Sequence, residues 1–183
     1  MAAVAKTLTL KNLPDGLHAR LTAAARRHRR SLNNEAIVCL DAGLGATGSA
    51  LIVVDTNVVT YLLLPGPKTP MAESLLDHHP QWAAPPLWRS EFRNVLSGYL
   101  RRDLLQLSRA VALMQEAEAT LAVHDEPVSS EHVLRLVNSS SCSSYDCEFV
   151  AAAQQLGVPL ITEDRAILAA FPDVAQSLHQ AAS

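Results

Sequence analysis

The spacing of apolar and polar positions changes several times along the chain, and each change marks an element. From Thr7 to Lys11 the two kinds alternate: Thr7, Thr9 and Lys11 fall on one side, Leu8 and Leu10 on the other, as in a half-buried strand. Asn12-Leu13-Pro14-Asp15 then predicts a helix start, with Pro14 tolerated in the first turn. Leu17, Leu21, Ala24, Ala25 and His28 recur at helical spacing, and Arg26, Arg27, Arg29 and Arg30 end that helix, where cations suit its dipole. Ser31 is placed to cap a second helix with Ala36, Ile37, Leu40 and Leu44 on its inner face. Gly43 to Ala50, GLGATGSA, is small and uncharged and predicts a linker.

Beyond the linker, strand-like and helix-like patterns alternate. LIVVD predicts a buried strand, followed by a helix near Val58–Leu64 and a turn at Pro65-Gly66-Pro67. Helical periods cover Met71–His78, Trp88–Arg102, Ser108–Ala119, Ser130–Asn138 and Ser144–Leu156. Gln81–Ala84, Thr120–His124 (TLAVH), Val158–Thr162 (VPLIT) and Val174–Leu178 predict further strands, and SSSCSS at 139–144 is a polar loop leading to a helix cap. The order implies an α/β fold, a mostly parallel sheet flanked by helices, preceded by a small separate module. The expected boundaries are 1–44 for the module, 45–50 for the linker and 51–183 for the body.

Charge divides along the same line. Residues 1–45 hold seven Lys/Arg against three Asp/Glu, and the remainder eight against fifteen, so a formal charge of -3 conceals a basic head on an acidic body. The three cysteines, Cys39, Cys142 and Cys147, lack metal-ligand spacing, which suits a reduced, cytoplasmic setting. MAAVAKTLTL has no apolar signal-peptide core, and the run 51–64 is too short to span a bilayer and contains Asp55 and Asn57, so no membrane role is expected.

One short strand and two short helices bury too little to fold alone. Pairing of the strand with its twin across a two-fold axis would give a ribbon narrow enough for the DNA major groove. KTLTLKNLPDGLHARLTAAARRHRRSLNNEAIVCL resembles the ribbon-helix-helix DNA-binding domains of VapB- or FitA-like antitoxins, over about the first 44 residues. That resemblance implies operator DNA as a partner, base contacts from Thr7, Thr9 and Lys11, and a phosphate held at Ser31. The stretch RHRRS between the helices has no Gly where such proteins often carry one.

Four acids carry the chemistry of the body: Asp55 in LIVVDTNVV, Glu91 in WRSEFRNVL, Asp146 in SSYDCEFVAAA and Asp164 in LITEDRAI. Asp55 and Asp164 arrive at the carboxyl ends of predicted strands, where open α/β sheets form their sites. Glu91 precedes Val95 by four positions, and Asp146 has Phe149, Val150 and Ala153 at +3, +4 and +7, so both face the apolar sides of their helices. Taken singly, each is an ordinary loop or cap acid. Brought together, buried like charges call for a divalent cation, and hard oxygen ligands suit Mg²⁺ or Mn²⁺. Such an ion would acidify a bound water and neutralise phosphate charge, with a free carboxylate to take the proton. Asn57 and Thr162 are candidates to orient ligands or water, and Glu163 should point elsewhere.

LIVVDTNVVTYLLLPG, LWRSEFRNVLSGYLRR and SSYDCEFVAAAQQLGVPLITEDRAIL resemble, in family order, the three blocks of the PIN domain, especially the VapC-like toxin ribonucleases, across roughly 51–180. The resemblance implies a Mg²⁺- or Mn²⁺-dependent endoribonuclease with Asp55, Glu91, Asp146 and Asp164 as catalytic and metal-binding residues. It also implies a homo-oligomer, dimer or tetramer, acting on structured RNA such as tRNA or rRNA. Arg89, Arg93, Arg101 and Arg102 are either a phosphate track for that RNA or plain surface charge. Both halves of a toxin–antitoxin system would then stand in one chain. Antitoxins of this type continue past the second helix with a segment that wraps the toxin; here GLGATGSA stands there. The alternative is a DNA-binding autorepressor whose nuclease-like body is a silent scaffold.

Overall fold

The computed structural model describes residues 13–27, 32, 33, 36, 39, 40, 51–121 and 127–182, and the chain divides into two compact units, Met1–Thr47 and Gly48–Ser183. In the first unit, α1 runs Asp15–Arg27. Pro14 stands one residue ahead of it rather than in its first turn, and its carbonyl accepts from the amides of Leu17 and His18 at 2.9 and 3.0 Å. Ala25 is buried, whereas Leu17, expected on the same inner face, is exposed. Residues 32, 33, 36, 39 and 40 are helical, in keeping with a second helix. The expected strand Thr7–Lys11 and the cap at Ser31 lie outside the described residues.

The second unit is a four-stranded sheet of order β2-β1-β3-β4, with every neighbouring pair parallel. β1 (Ile52–Val54) is buried at all three positions, as a central strand covered on both faces must be. It pairs through Ile52 with Trp82 of β2 (Trp82–Ala83), and through Val53 and Val54 with Leu160 and Ile161 of β3 (Leu160–Ile161). β4 (Ala175–Gln176) closes the other edge. The helices between are α2 (Thr56–Leu63), α3 (Thr69–His78), α4 (Trp88–Leu100), α5 (Leu107–Leu121), α6 (Ser130–Ser139), α7 (Ser144–Leu156), α8 (Arg165–Ala170) and α9 (Leu178–Ala181). Their inner faces bury Trp88, Phe92, Leu113 and Phe149 against the strands. At the far end of α7, Gly157 takes the left-handed conformation at φ 68°, which ends the helix and turns the chain toward β3.

Two sequence expectations need correction. Thr120 and Leu121, expected to open a strand, close α5 instead, because Leu113, Ala117 and Leu121 are all buried and continue its helical stripe. The rest of that expected strand, 122–124, lies outside the described residues. The expected strand Val174–Leu178 is only two residues long, since Ser177 caps α9 with its hydroxyl and Gln180 answers in a reciprocal capping box. The six residues of α8 and the four of α9 are too short for apolar periodicity to reveal them.

Candidate active site

The four acids come from four different helix beginnings. Asp55 ends β1 and is the N-cap of α2, and Asp164 follows β3 and is the N-cap of α8. Glu91 lies in the first turn of α4, and Asp146 is the third residue of α7. Parallel strands deliver their chains to the same edge of the sheet, and the helices that follow begin there with unpaired amides and a partial positive charge. Four like charges are tolerated at one edge partly because each sits at such a helix end, a placement worth about 0.3–1 kcal/mol apiece at exposed sites.

Asp55 is the anchor of the group, with only 8% of its surface exposed. Its Oδ2 accepts from Thr162 Oγ1 at 2.5 Å and from Asn57 Nδ2 at 2.6 Å. Asn57 also donates to Thr162 Oγ1 at 3.3 Å, and its own carbonyl accepts the amide of Glu163 at 3.3 Å. The hydroxyl of Thr162 in turn accepts the amide of Asp164 at 3.0 Å. Asn57 and Thr162, expected to support the site, therefore lock the end of β1 to the end of β3. Glu91 is half-buried, and its Oε2 accepts from Thr56 Oγ1 at 2.6 Å.

Asp146 and Asp164 are turned toward helix amides. Asp146 Oδ2 accepts from the amide and hydroxyl of Ser143 at 2.9 and 2.8 Å, while Ser143 Oγ receives the Asp146 amide, a capping box. Asp146, expected on the buried stripe of α7, is half-buried at its edge, above the buried Phe149, Val150 and Ala153. Asp164 Oδ1 accepts the amides of Ala166 and Ile167 at 2.8 and 3.0 Å. Glu91 Oε1, Asp146 Oδ1 and Asp164 Oδ2 accept no hydrogen bond from the described residues. Each of these acids is thus held by one oxygen and presents the other.

Electrostatics links the set. Burial pushes the Asp55 carboxyl above its ordinary value; hydrogen bonds from Thr162, Asn57 and Thr56 oppose this, and the charge of Asp164 adds to it. Burial also raises Glu91, against the Thr56 hydrogen bond and with help from Asp55, Asp146 and Glu148. Glu148, itself raised by burial, is a fifth acid beside the cluster. Nothing in its sequence position separated it from a solvated helix acid; only its nearness to Glu91 does so.

The donor set is all hard oxygen, and desolvated carboxylates that repel one another are stabilised by a divalent cation, so the residues fit Mg²⁺ or Mn²⁺. Among the described residues no three His, Cys, Asp or Glu side chains converge closely enough to enclose an ion as they stand. Asp146 and Asp164 each spend one oxygen on the amides of their own helix ends.

Other expected residues fall elsewhere. Glu163 points away from the cluster, as expected, pairing with Lys68 and accepting the amide of Leu178 at 2.9 Å. Arg89 stacks over Trp88 at 5.0 Å and lies 3.7 Å from Glu118, and Arg93 donates to the carbonyl of Arg89 at 2.8 Å. Arg101 and Arg102 follow the far end of α4, about 15 Å from Glu91 at the helical rise. Thr7, Thr9, Lys11 and Ser31 lie outside the described residues. Cys39 is exposed and Cys142 and Cys147 are buried, all three as free thiols, and no helix among the described residues is long and apolar enough to cross a membrane.

Residues 52–174 match the family described as PIN domain, and residues 7–44 match that described as Antitoxin FitA-like, ribbon-helix-helix. The chain is 27% identical over 124 residues to Ribonuclease VapC3 of Pyrobaculum aerophilum, spanning 66% of this chain and 95% of that protein. Among solved structures it is similar to PAE2754 of Pyrobaculum aerophilum, at a TM-score of 0.59 and 18% identity over 75% of this chain and 91% of the other. FitAcB of Neisseria gonorrhoeae is similar at 0.54 and 20% identity, over 68% of this chain and 94% of that one. A toxin-antitoxin complex from Klebsiella pneumoniae is similar at 0.51 and 20% identity, over 69% and 97%. At these identities the solved structures establish the fold.

Proposed function

The chain belongs to the PIN domain family and carries a FitA-like ribbon-helix-helix antitoxin domain ahead of it, and we propose that it is a Mg²⁺- or Mn²⁺-dependent endoribonuclease of a toxin–antitoxin system, fused to a DNA-binding head. The observation that carries this reading is the desolvated pair Asp55 and Glu91, whose charges act on each other and on Asp164 and Asp146. A protein scaffold has no reason to keep like charges buried together, because replacing them would relieve the repulsion.

In this reading Asp55, Glu91, Asp146 and Asp164 hold the cation through hard oxygens. When bound, Mg²⁺ or Mn²⁺ supplies positive charge at the scissile phosphate and acidifies a water. The chain's own residues do the positioning. Thr162 and Asn57 fix Asp55 through Oδ2, and Thr56 fixes Glu91 through Oε2, so neither carboxylate swings away from the edge of the sheet. With Oε2 tied to Thr56, Oε1 is the oxygen that Glu91 would offer to the cation.

The head, residues 1–44, would dimerise and grip operator DNA through Thr7, Thr9 and Lys11, with a phosphate at Ser31. The linker 45–50 then joins it to the nuclease, 51–183, in a cytoplasmic homo-oligomer. Structured RNA such as tRNA or rRNA is the expected substrate class.

The test is incubation of the purified full chain with total RNA in Mn²⁺ or EDTA, followed by mapping of the cut ends. Cleavage in Mn²⁺ alone, absent in Asp55→Asn and Asp146→Asn, supports the reading. Normal cleavage by either variant removes the metal assignment. No cleavage with any divalent metal, together with operator binding lost in Lys11→Ala, would favour the silent autorepressor instead.

A further inference from the structure

A groove of about 400 Å³ opens beside the acid cluster, between the start of α6 and the approach to α4. Its walls are apolar, from Pro86, Pro127, Val128, Val133 and Leu134, and among the described residues that line it the one charged side chain is Glu148. Ser130 adds a hydroxyl. The volume lies within the range of small-ligand sites, roughly 300–1,000 Å³. Leu134 is 64% exposed on one wall, while Val133 beside it is buried. Glu148 is near enough to Glu91 for the two charges to act on each other, so the groove begins where the acid cluster ends.

Resting on the ribonuclease reading, we propose that this groove receives one unpaired guanine base of the RNA, with Glu148 accepting from its N1–H and N2–H. A carboxylate only accepts hydrogen bonds, and it accepts them best from two donors side by side. Guanine alone offers that pair on its Watson–Crick edge. Cytosine and adenine each set one amino donor beside an acceptor nitrogen, and uracil sets one N–H between two carbonyls. Unpaired RNA bases are read on this edge while their faces pack on flat or apolar side chains, which the proline and valine walls provide. The charge of the body points the same way. With eight Lys/Arg against fifteen Asp/Glu after residue 45, it draws the phosphate backbone weakly, so contacts to bases must carry more of the binding.

The proposal is tested on the full chain in EDTA, where no phosphodiester is cut, by fluorescence anisotropy with short pyrimidine RNA strands. Each strand carries guanosine, inosine or adenosine at one position. Inosine lacks only the N2 amino group, so the wild-type chain should bind the guanosine strand roughly tenfold more tightly. Glu148→Gln keeps the shape and should erase that preference. Leu134→Gln, at an exposed position, should weaken the guanosine strand severalfold and leave the adenosine strand unchanged. Equal binding of guanosine and inosine by the wild type overturns the proposal, as does a preference that survives in Glu148→Gln. A Leu134→Gln chain that changes molar mass by light scattering while keeping the preference assigns the groove to protein contact, and the proposal falls. The same samples with Mn²⁺ and total RNA separate the two readings. A chain that prefers guanine but cuts nothing sinks the nuclease and leaves the groove, whereas one that cuts and ignores guanine sinks the groove alone.

Discussion

Thr162 donates its hydroxyl to Asp55 Oδ2 across 2.5 Å, tying together two residues 107 positions apart. The bond follows from strand register. Val54 pairs with Ile161, so the next residue on each strand, Asp55 and Thr162, emerges at the same edge of the sheet. One hydroxyl then serves two acids, donating to Asp55 and accepting the amide of Asp164.

Thr162→Val keeps the shape of the side chain and removes three bonds, the one to Asp55 and those from the Asp164 amide and Asn57 Nδ2. Asp55 would remain buried with one donor fewer, and the Asp164 amide would lose its acceptor. The expected cost is about 1–3 kcal/mol in urea unfolding, with a fall in any RNA cleavage. Unchanged stability would mean that water replaces the hydroxyl at no cost.

Asp55→Asn should lessen the pH dependence of stability in the metal-free chain while abolishing cleavage. The folded value of the Asp55 carboxyl lies above its ordinary 3.8, so its contribution to stability is fully present below 3.8 and is lost as pH rises through the folded value. Glu91, raised above 4.5, behaves in the same sense. Asn removes the Asp55 part of that loss, but its one oxygen cannot serve both the Asn57 amide and the donors Thr162 and Asn57 Nδ2, so its NH₂ is left facing a donor. In urea titrations the stability of the metal-free variant should therefore fall less steeply with rising pH, from about pH 4 to 7, than that of the wild type. Mn²⁺ should raise the thermal midpoint of the wild type and do so less for the variant, by about 2.7 kcal/mol of linkage at a hundredfold excess over Kd in the wild type.

Asp146 carries two roles that different substitutions separate. Asp146→Asn retains an oxygen for the amide and hydroxyl of Ser143, so the capping box survives while the charge is lost. Asp146→Ala breaks the box and should cost about 0.5–2 kcal/mol besides. Circular dichroism melts should place Asn near the wild type and Ala below it, with both inactive on RNA.

The pair Lys68–Glu163 gives a stability term with its own pH window. Burial works to raise Glu163, but the hydrogen bond and charge of Lys68, the amide of Leu178 and His179 outweigh it, so its folded value lies below 4.5. Its contribution is present above 4.5 and is lost as pH falls through the folded value. Lys68 is raised above 10.5, first by its hydrogen bond to Glu163, so its contribution is fully present below 10.5 and is lost as pH rises through the folded value. With Lys68 37% exposed, solvent screens the pair. Glu163→Gln, which keeps an acceptor for Leu178, should therefore cost only about 0.2–1 kcal/mol near pH 7. Once the pH is below the folded value of Glu163, the variant and the wild type should unfold at the same urea concentration.

Helices with long apolar stripes were legible in the chain. Trp88, Phe92 and Leu96 on α4 and Phe149, Val150 and Ala153 on α7 are buried at helical spacing, as their order predicts. Helices α8 and α9 were not legible, because one or two turns show no period. The end of α5 was misjudged because Thr120 and Leu121 suit a strand locally, while the stripe from Leu113 overrides that preference.

The placement of the four acids at helix beginnings was legible because its signals are local: an apolar strand ending in Asp, or an acid at the start of an amphipathic helix. Local patterns repeat in nearest-neighbour spacing, and spacing survives in a linear chain. Which oxygen of each acid is tied and which is open depends on the sheet order β2-β1-β3-β4. That order sets Thr162 against Asp55, while helix packing sets Thr56 against Glu91 and brings Glu148 close to Glu91. Desolvation and charge coupling depend on distances between residues far apart in sequence, and only packing assigns those distances.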